Sequence, residues 1–399
     1  MPESLTMDRC ALTPSVPGSP RLIRTLHVLG ALDRGGAETW LMDVARAASA
    51  ERLRVDVCTL TDRIGAYDAE FQRLGGRIHR CVLGANPWSF SHRLQGLLKR
   101  EQYDIVHSHV YYFSGLILRA AAKAGVAGRV SHVHRSADLK PPGLFRQAYT
   151  RAMRRWIERY GTAFLGPSRA SLEACWGPGW EADPRKKVVY NGIRVERFRT
   201  PANRHGVRQE LGLPSDAKIV LNVGRYVWHK RQESLVDGAR ELTRRRPDVY
   251  FVLIGDGPER SAVEEKVRRL DLADRFRFLS AGPPEIDRYW LAADVFVFPS
   301  ISEGFGLVIA EAGAAGLPVV AADIPGVREA AAACRNITLL SCDSGSGDWA
   351  SAVERALNVA VPSDAERNEM LDRFPFTIER SVGALIEVYA RCLQTACVP

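Results

Sequence analysis

Short runs of apolar and β-branched residues alternate with longer amphipathic segments along this chain, in two successive series. Strands separated in this way by helices pair in parallel, since each crossover returns the chain to the same edge of the sheet. Strands are predicted at residues 25–29, 55–60, 78–82, 105–107, 130–134 and 164–166, and again at 219–223, 250–254, 276–279, 295–298 and 319–321. Between the two series lies a polar stretch containing Phe198-Arg199-Thr200-Pro201 and ending near Gly206, read as a linker. The pattern predicts an α/β fold of two doubly wound domains, 21–200 and 206–376. A polar extension, 1–20, precedes them, and a helix and tail, 377–399, follow. Val382, Leu385, Ile386 and Tyr389 share one face of that last helix, which is expected to cross back to the first domain. Open α/β sheets bind ligands beyond the carboxyl ends of their strands, so two such domains facing each other create a cleft with two half-sites.

The remaining bulk properties narrow the class. With 399 residues, 46% hydrophobic and 25% charged, the chain is too long for a small disulfide module and too apolar for disorder. Its net charge of +9 is unevenly placed: residues 1–200 carry 31 Lys and Arg against 18 Asp and Glu, residues 201–399 carry 24 against 28. A positive first half attracts anionic partners. No dense basic block with interleaved aromatics appears, so nucleic acid is not an expected partner. Basic residues between Lys140 and Arg159 instead fall among Leu144, Tyr149 and Trp156 as on an amphipathic helix, which fits contact with an anionic membrane or acceptor as well as a solvated face. Eight scattered cysteines show no metal-ligand spacing. The first twenty residues have no signal-peptide core, and no apolar run reaches the ~20 residues of a membrane span. A cytoplasmic protein, able to rest on the inner face of the cell membrane, is the expectation.

Four constellations can carry chemistry. Residues 30–38 hold Gly30, Gly35 and Gly36 between a strand and a helix, where backbone N–H groups suit a phosphate. The glycines lack dinucleotide-fingerprint spacing, and a plain tight turn fits equally. His107, His109, His132 and His134 sit at two strand ends; they read as a metal site, as one cleft histidine, or as structural residues. Arg225 follows a strand, with Lys230 five residues on: a fork of donors and a compact charge suited to a diphosphate, or two surface cations. In residues 294–311 a buried strand stops at Pro299, a glycine turn carries Glu303, and a helix starting near Leu307 carries Glu311. Carboxylates there can accept from vicinal hydroxyls, act as an acid/base pair, or merely cap a helix.

Taken together, HVLGALDRGGAETW, DIVHSHVYYFSG, SHVHRS, GPSRAS, VVYNGI, LNVGRYVWHK, LIGDGP and ADVFVFPSISEGFGLVIAEAGAAGLPVVAADIPG resemble retaining glycosyltransferases of the family 4 type, especially members that build exopolysaccharide or capsule. That resemblance spans residues 25–390. It implies two Rossmann-like domains facing across a cleft, the GT-B architecture, and transfer of a sugar from a nucleotide diphosphate sugar, UDP-linked above all, to a glycan or lipid-linked hydroxyl. It implies catalytic roles for His134, Arg225, Lys230 and Glu303. Donor binding falls to Gly35, Gly36, Arg225, Lys230, Gly255, Glu303, Gly304, Phe305, Gly306, Leu307 and Glu311. His107, His109, Arg135, Ser168 and Asn191 are acceptor-side candidates. No metal or cofactor is expected. Arg194 stands where the family commonly has Asp, and Arg231-Gln232 where Gly or Asn often follows the lysine. The alternatives are a GT-B sugar phosphorylase, a nucleotide-sugar epimerase, and a noncatalytic nucleotide-sugar-binding protein.

Overall fold

The structure is a computed structural model that describes residues 21–48, 52–134, 143–280 and 286–396. The extension 1–20, Arg135, the start of the basic stretch at Lys140, and the tail beyond 396 lie outside the described residues.

Among the described residues, thirteen strands form two wholly parallel sheets. The first holds β1 (Ile23–Leu29), β2 (Leu53–Thr59), β3 (Ile78–Arg80), β4 (Ile105–Ser108), β5 (Gly128–His132), β6 (Ala163–Gly166) and β7 (Lys186–Val188), in the order β3-β2-β1-β4-β5-β6-β7. The second holds β8 (Lys218–Val223), β9 (Val249–Ile254), β10 (Phe276–Leu279), β11 (Val295–Phe298), β12 (Val319–Ala322) and β13 (Ile337–Leu340), in the order β10-β9-β8-β11-β12-β13. Central strands are buried on both faces by helices, which is why β11 and β12 read as uninterrupted apolar runs. Strand order reverses between β1 and β4 in one sheet and between β8 and β11 in the other. At those two points the crossovers leave in opposite directions and a crevice opens at the carboxyl edge.

The expected polar linker is a packed segment. Residues Val195–Phe198 form a 3-10 turn with Phe198 fully buried, and the Arg367 guanidinium donates to the Phe198 and Thr200 carbonyls. The next helix, Arg204–Glu210, already occupies the last part of the stretch read as a linker, with Asn203 capping it. The second chain crossing lies beside the first: Ile193 N–H donates to the Phe376 carbonyl and Ile378 N–H to the Ile193 carbonyl, both at 2.9 Å. From there the helix Ile378–Ala396 returns to the first sheet. Trp40 Nε1 donates to Ser381 Oγ at 2.9 Å, and Val382, Leu385 and Tyr389 enter the core with Trp40 and Leu41.

Asp294, just before β11, is a buried structural anion. It accepts from Arg208 and the Ile219 N–H, both at 2.8 Å, and pairs with Arg204. The described cysteines, among them Cys58, Cys81 and Cys175, are free thiols. Among the described residues no helix is long and apolar enough to cross a membrane.

Candidate functional site

The carboxyl ends of β1, β4, β5, β8 and β11 converge on a cavity of about 480 Å³ between the two sheets. Its volume lies in the range of small-molecule sites. Of the donor-side candidates, every one lines it: Gly35, Gly36, Arg225, Lys230, Gly255, Glu303, Gly304, Phe305, Gly306, Leu307 and Glu311. His109, His134 and Asn191 line the opposite side.

On the wall built by the second sheet, Arg225 leaves β8 and is exposed to the cavity, with no carboxylate partner among the described residues. Gly255 and Gly257 place it there. A side chain on Gly255 would meet the Gly224 carbonyl at 2.0 Å, and one on Gly257 the Tyr226 carbonyl at 2.3 Å, so the two loops can nest only through glycine. Lys230 Nζ donates to Glu303 Oε1 at 2.5 Å, and Ser300 Oγ donates to the same oxygen. The chain then turns at Gly306, whose φ of 80° favours glycine, and opens the helix Leu307–Ala314 with its first N–H groups lacking intrahelical acceptors. Phe305 contributes only backbone: its ring is buried against Tyr190 and Phe376.

Glu311 lies one turn into that helix, buried, with Arg197 3.4 Å away. Burial pushes its carboxyl up to about 7, opposed by the Arg197 guanidinium and reinforced by Asp287 and Asp43. Arg197, which also donates to Asp287 at 2.6 Å, lines the cavity and escaped the sequence reading because it falls directly before the presumed linker, outside every motif.

The first sheet supplies the histidines. Register brings His27 of β1 opposite His107 of β4, and His109 beside His132 and His134. Five imidazoles thus converge, one more than the four singled out from sequence, under Trp40 and Tyr389. Burial lowers all five below the usual histidine range, His27 and His134 to about 3, so they are neutral. Two triplets, His27-His107-His109 and His109-His132-His134, bring ring nitrogens within 4.8 Å of one another, a spacing a metal ion can use. Most of those nitrogens already bond to a neighbouring ring: His27 Nδ1 to His109 Nε2 at 2.9 Å, His109 Nδ1 to His134 Nε2 at 2.8 Å, and His107 Nε2 to His132 Nδ1 at 3.2 Å.

Two acceptor-side expectations are corrected. His107 is fully buried and does not line the cavity; its Nδ1 bonds to the Tyr389 hydroxyl at 2.6 Å because the returning helix covers it. Ser168 is also fully buried, capping the helix Arg169–Trp176 and donating to the Gly304 carbonyl across the domain boundary. Asn191 lines the cavity, with its Oδ1 buried and unpartnered. Arg135 lies outside the described residues.

Residues 34–197 match the family described as Glycosyltransferase Family 4, and residues 203–370 match Glycosyl transferases group 1. Over 371 residues the chain is 30% identical to EpsF of Bacillus subtilis (strain 168), a protein named as a glycosyltransferase, covering 92% of this chain and 96% of that one. The chain belongs to glycosyltransferase family 4. A second family relative, D-inositol 3-phosphate glycosyltransferase 2 of Catenulispora acidiphila, is 28% identical over 404 residues, covering 92% of this chain and 93% of its own. Among solved structures, Anabaena HepE in complex with UDP and glucose superposes with a TM-score of 0.75 at 22% identity, over 92% of this chain and 100% of HepE. Sucrose-phosphate synthase from Thermosynechococcus elongatus gives 0.70 at 20% identity, over 94% and 100%. The GT-B fold of this glycosyltransferase is therefore shared with both.

Proposed function

We propose that this family 4 glycosyltransferase is a retaining hexosyltransferase that moves a sugar from a UDP-sugar to a hydroxyl of a glycan or lipid-linked acceptor in cell-surface polysaccharide assembly. The observation that carries this reading is one wall of the cleft. There Arg225, Lys230, the first amides of the helix Leu307–Ala314, Glu303 and Glu311 face the same cavity as His134. Two cations and a helix start suit a diphosphate, and a buried carboxylate suits a ribose diol. HepE, which has the same fold, binds UDP, EpsF is named as a glycosyltransferase, and the polysaccharide role rests on the resemblance of the motifs to exopolysaccharide-building members of the family.

In this reading the donor lies on the domain 206–376 and the acceptor on the domain 21–200, with the helix Ile378–Ala396 returning to the latter. An acceptor hydroxyl attacks the anomeric carbon on the face from which the diphosphate leaves. The new C–O bond forms as the bond to the β-phosphate oxygen breaks, and the hydroxyl proton passes to that oxygen. Arg225 and Lys230 act most strongly where the departing phosphate gains charge, so they lower the barrier more than they tighten ground-state binding. Glu303 holds the donor sugar and Glu311 the ribose.

The acceptor domain also presents the helix Leu144–Tyr160, on which Leu144 and Phe145 are 84% and 95% exposed beside Arg146, Arg151 and Arg155. Such a surface suits the anionic inner face of a cell membrane. A thermal-shift series with UDP-sugars identifies the donor, since a ligand of the native state raises apparent stability by mass action. With that donor, UDP release that requires an acceptor and an anomeric proton unchanged in configuration support the proposal. Release of a sugar phosphate, epimerised donor, or binding without turnover would replace it with one of the alternative activities.

A further inference from the structure

The neutral histidines are joined into two separate chains, which differ in whether one end lines the cleft. A neutral imidazole has one N–H and one bare nitrogen, so a ring that donates at one side must accept at the other. In the first chain the Tyr389 hydroxyl, fully buried, meets His107 Nδ1 at 2.6 Å, and His107 Nε2 meets His132 Nδ1 at 3.2 Å. The Tyr389 proton has His107 Nδ1 as its acceptor among the described residues. When the tyrosine donates, His107 donates from Nε2 to His132, whose own Nε2 is buried without a partner; the reverse direction orphans the tyrosine proton instead, and both ends of this chain lie away from the cleft.

The second chain, by contrast, ends at a ring that lines the cleft. His27 Nδ1 meets His109 Nε2 at 2.9 Å, His109 Nδ1 meets His134 Nε2 at 2.8 Å, and the two terminal nitrogens, His27 Nε2 and His134 Nδ1, are buried without partners. Only two arrangements satisfy both bonds. In one, every ring donates toward His27, and His134 Nδ1 is bare. In the other, every ring donates toward His134, whose Nδ1 then carries the proton. Each leaves one N–H without an acceptor at its far end, at a cost of about 1–3 kcal/mol. The ends are not equivalent: His27 is fully enclosed, whereas the His134 ring lines the cleft, and a shift of that ring or of the wall on binding brings its enclosed Nδ1 within reach of a bound molecule.

We propose that His27 and His109 are positioning residues whose shared tautomeric direction decides whether His134 meets the sugar nucleotide as a hydrogen-bond donor or as an acceptor. This rests on the reading that the donor sugar lies beside His134. A ligand oxygen at His134 Nδ1 selects the arrangement in which all three rings donate toward the cleft, and the three tautomers change together. Oriented outer partners of functional imidazoles act in the same way, by fixing the tautomer of a ring they do not share with the substrate.

The test uses the full chain labelled with ¹⁵N-histidine, with two-bond ¹H–¹⁵N spectra reporting which nitrogen of each ring carries the proton and His134→Gln assigning the His134 signals. Addition of UDP-glucose is expected to move His134, His109 and His27 to one direction while His107 and His132 stay unchanged. His109→Leu should alter the His134 tautomer in the ligand-free protein and lower kcat about tenfold or more with KM for the sugar nucleotide retained. His109→Gln, which offers one donor and one acceptor, should restore much of both. His27→Leu breaks the chain at its other link and serves if His109→Leu does not fold. An unchanged His134 tautomer in His109→Leu and His27→Leu overturns the proposal, as does stoichiometric zinc in the purified protein bound by these rings. The ligand-free spectra need no substrate. A tautomer change there with no response to any sugar nucleotide leaves the chain standing and removes the donor reading.

Discussion

Lys230 and Glu303 form an ion pair in the wall of the cleft, Nζ to Oε1 at 2.5 Å, in the space that a diphosphate would enter. Both side chains are largely enclosed, and Ser300 holds the carboxylate in place. In the proposed reading an incoming diphosphate competes with Glu303 for the same ammonium, and the pair is a placeholder that the substrate rearranges. Lys230→Ala should reduce turnover about 10²-fold or more, with UDP affinity falling much less, because the charge matters most as the phosphate departs. Glu303→Gln should also lower turnover while leaving UDP affinity equal or higher, since it frees the lysine. Kinetics paired with calorimetric UDP titration separates these. Turnover unchanged in a folded Lys230→Ala protein removes Lys230 from the mechanism.

Glu311 gives the site a pH response. Its carboxyl, raised to about 7 chiefly by burial, is protonated below that pH in the ligand-free protein. A ribose diol is bound best by a carboxylate with both oxygens free to accept. Affinity for the sugar nucleotide is therefore expected to rise as pH goes from 6 to 8, by up to about tenfold per unit below the midpoint. In Glu311→Gln the dependence should flatten and the affinity stay low throughout. An equally steep profile in that variant would assign the titration to another group.

The central strands and the turn residues were readable because both are local. A buried parallel strand is a continuous apolar run, and 295–298 was placed to the residue; the half-buried edge strand 276–279 was placed as well, on its aromatic residues. The edge strands β7 and β13 went unread. Lys186–Val188 is short and polar, and Ile337–Leu340 is half-buried, so neither carries the signature of a central strand. Arg225, Lys230, Glu303 and Glu311 were legible because each sits at a strand end or helix start within one motif. His27, Arg197 and the burial of His107 were not. The first two depend on the pairing of β1 with β4 and on the folding back of residues 195–198. The third depends on a helix almost three hundred residues later.

Closure of the cleft has its own contact. Glu329, on the helix Pro325–Ala330, accepts from the Arg169 and Ala170 N–H groups at 2.9 and 2.8 Å, and from the Tyr190 hydroxyl at 3.3 Å. A carboxylate of one domain thus sits on the first turn of a helix of the other, where orphan amides and the dipole favour an anion. Being half-exposed, the contact contributes about 1–2 kcal/mol after screening. Glu329→Ala should shift the balance toward an open cleft by about five- to thirtyfold. The expected signs are a larger radius of gyration in X-ray scattering and a higher KM for the donor. Identical scattering and KM would show that other contacts, such as Ser168 with Gly304, hold the domains alone.

The buried histidines set the acid limit of the fold. In the unfolded chain each takes a proton near pH 6.5, whereas in the folded protein burial holds His27 and His134 neutral to about pH 3 and lowers His107, His109 and His132 as well. Above about pH 7 both states are neutral at these positions and the groups contribute no pH dependence. As pH falls below 6.5, only the unfolded state gains protons, and stability drops by up to about 1.4 kcal/mol per pH unit for each such histidine. Glu311 opposes this, because its raised carboxyl takes up a proton in the folded state between pH 7 and 4.5, but it is one group against five. Urea midpoints should hardly change from pH 8 to 7 and fall steeply from 6 to 5. His132→Asn, which removes one of the five titrating rings, should make that fall shallower by about one proton. A midpoint equal at pH 5 and 7 would mean that the imidazoles take up protons in the folded cluster, and the neutral hydrogen-bonded chains would have to be abandoned.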